Sequence, residues 1–104
     1  MKTSADLKAK ILFALAHSNR IRILEYLQKD VHCNCELAPE LELEQSNLSR
    51  HLKILVEAGV LKSWKEGLRV NVKVADDRIF KILDMVSMLA KQEVATRVEA
   101  LENA

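Results

Sequence analysis

The sequence predicts a mainly helical chain with a two-stranded β-hairpin placed before a long last helix. Three observations carry this. Only two glycines and one proline stand among 104 residues, too few for many tight turns or long loops. Apolar residues recur three and four apart as far as Ala58 and again after Asp77, the spacing of amphipathic helices. Between those stretches the period falls to two, the mark of half-buried strands.

The first helix is expected over Ala5 to Ala16, where Leu7, Ile11, Leu12 and Leu15 share a face. Ser18 or Asn19 offers an N-cap for a second, with Ile21, Leu24 and Leu27 as its stripe to about Gln28. Asp30 to Asn34 reads as a connection. A short helix follows from Cys35 to Leu41, with Pro39 close enough to its start to be tolerated. After the turn Glu42-Leu43-Glu44 comes a strong helix, Gln45 to Ala58, whose apolar face is Leu48, Leu52, Leu55 and Val56. Gly59 stands where a helix end favours a residue free to take positive φ.

Leu61 to Lys65 and Arg69 to Val74 read as the two strands, joined through Glu66-Gly67-Leu68. Asp76 or Asp77 is placed to cap the last helix, Arg78 to about Leu101. Its seam of Ile79, Ile82, Leu83, Val86, Leu89, Ala90, Val94, Val98 and Leu101 needs a surface to cover it. That surface is either the chain's own domain or a second copy. A chain of 104 residues has room for one domain, residues 1–104, and so short a domain gains from self-association. Leu7 and Ile11 of the first helix and Ile82, Val86, Leu89 and Val94 of the last are therefore the expected dimer contacts. The order helix, helix, short helix, helix, hairpin, helix is that of a winged helix-turn-helix.

In that motif the second helix enters the major groove of DNA with its N-terminal residues on base edges. Here those residues are Gln45, Ser46, Asn47, Ser49, Arg50, His51 and Lys53. Gln and Asn pair with adenine, Arg with guanine, and Ser with base or phosphate. Net charge is only +1, but it is unevenly spread. From Ser46 to Lys73 six basic residues face two acidic ones, whereas Glu36 to Glu44 carries four glutamates and no base. A phosphate-facing surface requires this segregation. Lys65 and Arg69 flank the hairpin tip and are expected on backbone or minor groove. The expected partner is double-stranded operator DNA, and no cofactor is required to bind it.

A family resemblance rests on these residues. Ala14-Leu15-Ala16-His17-Ser18-Asn19-Arg20-Ile21-Arg22-Ile23-Leu24 resembles the opening run of the arsenical-resistance and metal-sensing repressors, the ArsR/SmtB family. Gln45 to Leu55 resembles that family's recognition helix, and Glu57-Ala58-Gly59-Val60-Leu61 and the wing follow as there. The match spans about residues 12 to 75. It implies a winged-helix homodimer joined by first and last helices, repressing an operon until an inducer binds. Two positions depart from the pattern: Ser18 stands where proline is usual, and Glu44 where a serine often caps the recognition helix.

His32-Cys33-Asn34-Cys35-Glu36-Leu37 resembles the box in which that family's thiolates bind thiophilic ions. The chemistry is consistent with this, because thiolate is the soft ligand such ions select and a helix N-terminus favours the thiolate form. In a regular helix residues i and i+2 do not face each other. Gripping one ion with both sulfurs is therefore expected to deform the first turn and disturb the helix-turn-helix. Position 38 is alanine where the family's arsenite sites carry a third cysteine, and the last helix has no histidine for a zinc or cobalt site. Cys33 and Cys35, with His32 as a candidate third ligand, suit a two-coordinate soft ion, arsenite completed by a small exogenous ligand, or reversible oxidation. The plain alternatives are two small buried cysteines and a winged helix without an inducer.

No apolar run is long enough to cross a membrane, and Met1 to Asp6 has no signal core, so a cytoplasmic protein with reduced thiols is expected. A thiol enzyme is not: His32 and Cys33 are adjacent, a poor geometry for a base and its nucleophile, and no oxyanion-binding motif is present.

Overall fold

The computed structural model describes residues 1–28 and 30–103. Its elements run α1 (Ser4–Leu15), α2 (Ser18–Tyr26), β1 (His32–Cys33), α3 (Asn34–Leu41), α4 (Gln45–Glu57), β2 (Leu61–Glu66), β3 (Arg69–Val74) and α5 (Arg78–Glu102). The architecture is the winged helix-turn-helix, with one addition. The sheet has three antiparallel strands in the order β1-β3-β2, because His32 and Cys33 pair with Val72 and Asn71. Two residues are too short a run to announce themselves by periodicity.

Several ends differ from the expected ones, each for a local reason. Helix α1 begins at a capping box: the Asp6 amide donates to Thr3 Oγ1 at 3.1 Å and the Thr3 amide to Asp6 Oδ2 at 3.0 Å. The cap of α2 is neither Ser18 nor Asn19 but His17, whose Nδ1 accepts from the Asn19 amide at 3.0 Å. Pro39 lies in the last turn of α3, not near its start, and removes the donor that would otherwise bond the Cys35 carbonyl. For α5 the bond comes from Asp76, whose Oδ1 accepts from the Arg78 amide at 2.9 Å. Gly59 and Gly67, both at positive φ, close α4 and turn the hairpin.

The core gathers Ile23, Leu24, Leu27, Leu37, Leu48, Leu55, Val60 and Val72 between α2, α3, α4 and the sheet. Val56 is exposed, a correction to the expected face of α4. Helices α1 and α5 contribute little to this core. Along α5 only Ile79 is buried, with Phe80, Ile82 and Leu83 packed against the core's edge. Leu7, Ile11, Phe13, Met85, Val86, Met88, Leu89 and Val94 are exposed. The cleft between the two helices is an apolar cavity of about 530 Å³, with Ile11, Val60, Ile79, Ile82 and Met85 in its walls. Of the six expected dimer contacts, Ile82 also packs on its own core; the other five lie open. Among the described residues no helix is long and apolar enough to cross a membrane.

Candidate nucleic-acid interface and cysteine pair

Helix α4 turns Leu48, Leu52 and Leu55 inward, which forces the intervening residues outward. Gln45, Ser46, Ser49, Arg50 and Lys53 are exposed and Asn47 is half-buried. Gln45 Nε2 lies 3.5 Å from Ser49 Oγ, and Lys53 pairs loosely with Glu57 at 4.0 Å. Glu44 precedes the helix and makes no capping bond, so the first amides of α4 receive no side-chain partner from it. His51 is the correction. Its side chain is only 7% exposed and packs against Arg20 and His17, so it does not join the outward face. It falls three residues after Leu48 and four before Leu55, the inward register of the helix.

The hairpin stands beside this face. Lys62, Lys65, Arg69 and Lys73 are exposed along its two strands. Arg69 is held: its Nη2 donates to Glu36 Oε1 at 3.2 Å. Glu36 also accepts from His32 Nδ1 at 3.0 Å. The His32 bond foremost, and more weakly the charge of Arg69, keep the Glu36 carboxyl below the usual carboxylate range. Glu36, in the first turn of α3, thus joins the wing to the segment carrying the cysteines. Thirty-three residues separate it from Arg69, and no local pattern in the sequence marks the pair.

Cys33 and Cys35 form a disulfide, with Cα atoms 5.1 Å apart. The structure differs here from the expected reduced pair. The disulfide leaves the first turn of α3 intact. Cys33 lies outside the helix as its extended N-cap, and its Sγ accepts from the Cys35 amide at 3.2 Å, so the sulfurs meet over an intact first turn. Cys33 is 2% exposed while Cys35 is open to solvent. Cys33 is also a member of β1, opposite Asn71 of β3. The pair therefore sits where the helix-turn-helix meets the wing. His32 does not turn toward the sulfurs but to Glu36 and the Tyr26 ring, 4.8 Å away between centroids. Among the described residues no group of three or more His, Cys, Asp or Glu side chains is placed to hold a metal ion.

Comparison with known proteins agrees with this geometry. Residues 17–63 match the family described as bacterial regulatory protein, arsR family. The HTH-type transcriptional regulator Rv0081 of Mycobacterium tuberculosis is 35% identical over 98 residues, covering 93% of this chain and 86% of that protein. Its crystal structure superposes with a TM-score of 0.80 at 32% identity, over 94% of this chain and 99% of that one. The HTH-type transcriptional repressor SmtB of the same organism is 37% identical over 83 residues, 79% of this chain and 62% of that protein. A homodimeric winged helix-turn-helix DNA-binding domain from Mycobacterium bovis shares the fold, with a TM-score of 0.76 at 22% identity over 86% of this chain and 83% of that one.

Proposed function

This chain belongs to the ArsR/SmtB family of transcriptional repressors, and from that premise we propose how it holds an operator and how it lets go. The chain forms a homodimer through the open apolar faces of α1 and α5, centred on Leu7, Ile11, Val86, Leu89 and Val94. Each protomer lays α4 into the major groove. Gln45, Ser46, Asn47, Ser49 and Arg50 read base edges, while Lys53, Lys65 and Arg69 meet phosphates. One observation carries this reading: Gln45, Ser46, Ser49, Arg50 and Lys53 are exposed together on one face of α4, beside a basic hairpin. The fold and relatives are those of transcriptional regulators, not of enzymes.

Release is assigned to Cys33 and Cys35. As thiolates they offer two soft donors one residue from Glu36, at the junction of α3 and the wing. Two sulfurs without a third protein ligand fit a linear two-coordinate soft ion, or arsenite completed by an exogenous ligand. A specific observation favours a second reading. Cys33 sits outside α3 with its Sγ over the Cys35 amide, so the two side chains can meet without unwinding the helix, which suits oxidation. Two thiols would then give up two electrons and two protons to hydrogen peroxide, which leaves as two waters, and the disulfide forms.

Fluorescence anisotropy on the promoter of the chain's own gene tests both readings. The double variant Cys33→Ser, Cys35→Ser should bind as tightly as the wild type and resist release by arsenite, soft ions and peroxide alike. Normal release from that variant refutes the assignment. Wild-type release by peroxide under strict chelation selects oxidation; release only by added ions selects metal.

A further inference from the structure

We propose that Arg20 seats the recognition helix through a neutral His51, so that acidification loosens α4 and weakens sequence-specific DNA binding. The three elements that meet here are the end of α1, the start of α2 and the middle of α4. Arg20, only 4% exposed, donates from Nε to the Ala14 carbonyl at 2.7 Å and from Nη2 to the Phe13 carbonyl at 2.9 Å. These are carbonyls of the last turn of α1, which has no basic residue of its own there. The guanidinium also lies over the Phe13 ring, 5.4 Å from its centroid. The remaining arm, Nη1, reaches His51 Nδ1 at 3.3 Å.

That last bond decides the protonation state. A guanidinium carries donors only, so Nδ1 must be the acceptor. An imidazole has an acceptor only when neutral, so His51 carries its proton on Nε2. A second proton, on Nδ1, ends the bond and sets an imidazolium against a guanidinium. The opposite side offers no relief. The His17 ring lies 4.4 Å from that of His51, and His17 Nδ1 is itself an acceptor, capping α2 at the Asn19 amide. The charged or titratable groups bearing on His51 are His17 and Arg20 from α2 and its cap, and Arg50 from α4 itself, all basic. Burial first, and these neighbours after it, hold the imidazole below the usual histidine range.

The sign follows. The folded chain binds this proton less readily than the unfolded chain. Stability from the neutral ring is complete above the ordinary histidine range and is lost as pH falls toward the depressed folded value. Unselective attraction to phosphate moves the other way, because added protons make the surface more positive. Selective and unselective binding should therefore diverge on acidification.

The inference rests on the DNA-binding reading above, and the experiment separates the two. A duplex selected by the full-length protein from a random pool, and a scrambled duplex of equal length, are titrated from pH about 7.5 down to about 5.5. The wild type should lose about tenfold in its preference for the selected duplex, the scale of one lost hydrogen bond. His51→Gln, whose amide oxygen accepts from Arg20 but does not titrate, should keep its preference, and His32→Gln should follow the wild type. An equal loss in His51→Gln, or none in the wild type, overturns the proposal. Absence of any selective duplex at neutral pH defeats the DNA-binding reading instead. In that case, or if His51→Gln does not fold, imidazole nitrogen NMR of the wild type decides. Nδ1 should be unprotonated at neutral pH and its titration midpoint below that of free histidine; a midpoint at or above it refutes the proposal.

Discussion

Arg50 and Arg69 carry the same group into different surroundings, and their substitution should read differently. Arg50 stands exposed on α4 among the residues proposed to meet bases. Arg50→Ala is expected to cost about 1–3 kcal/mol of discrimination at one base pair and little folding stability. Arg69 is drawn toward Glu36. Arg69→Ala should weaken binding to all duplexes alike and reduce the slope of log affinity against log salt by about 1. Glu36→Gln should act in the opposite direction, strengthening binding, because it frees Arg69 and removes a negative charge from beside the wing. Anisotropy titrations at several salt concentrations check all three, and unchanged binding by Glu36→Gln would deny the pairing any part in DNA affinity. Arg69 was readable as a wing residue from its place beside Gly67. Its tie to Glu36 was not, since an ion pair between distant positions exists only once the chain has folded.

At the scale of elements, helix ends set the geometry. Gly59 closes α4 at φ +77 and starts the turn into the wing, and a Cβ there would meet no neighbour. Gly59→Ala should therefore cost backbone strain alone, about 1–2 kcal/mol, visible as a lower denaturation midpoint with the same slope. Asp76, one residue before the N-cap Asp77 of α5, accepts from the Arg78 side chain and then the Arg78 amide, and these bonds hold its carboxyl down at about 2 against an ordinary 3.8. Its contribution is present above pH 3.8 and lost as pH falls through about 2. Asp76→Asn should lower Tm at neutral pH, and the gap to the wild type should close in strong acid. The sequence offered Asp76 and Asp77 equally, and only the path of the chain out of β3 chose between them. Thr3 was legible, as the first residue of a Thr-x-x-Asp box, yet the apolar period alone passes over it.

Across the whole molecule, the unsatisfied feature is the apolar surface of α1 and α5. Leu89 is 70% exposed and Phe13 64%, on helices that the chain's own core hardly uses. Leu89→Asp should yield a folded monomer by sedimentation, and with it lose simultaneous contact with two half-sites about 34 Å apart. A monomer with undiminished operator affinity would contradict the dimeric reading. Periodicity revealed that the long helix wanted a partner. It could not say that Ile82 serves the protomer's own core while Val86 and Leu89, only a turn or two on, are left open.

The sequence alone determined which segments form helices and, apart from the two-residue β1, which extend, where the wing begins, and which family the chain resembles. These follow from residue spacing and local backbone preference, which act over a few positions. Tertiary structure alone decided that a buried guanidinium meets His51, that the sulfurs of Cys33 and Cys35 meet, and that Glu36 bridges to the wing. Each depends on groups brought together by packing. His51 shows the boundary most clearly: its register with Leu48 and Leu55 placed it on the inner face, but only the buried guanidinium made a polar ring acceptable there.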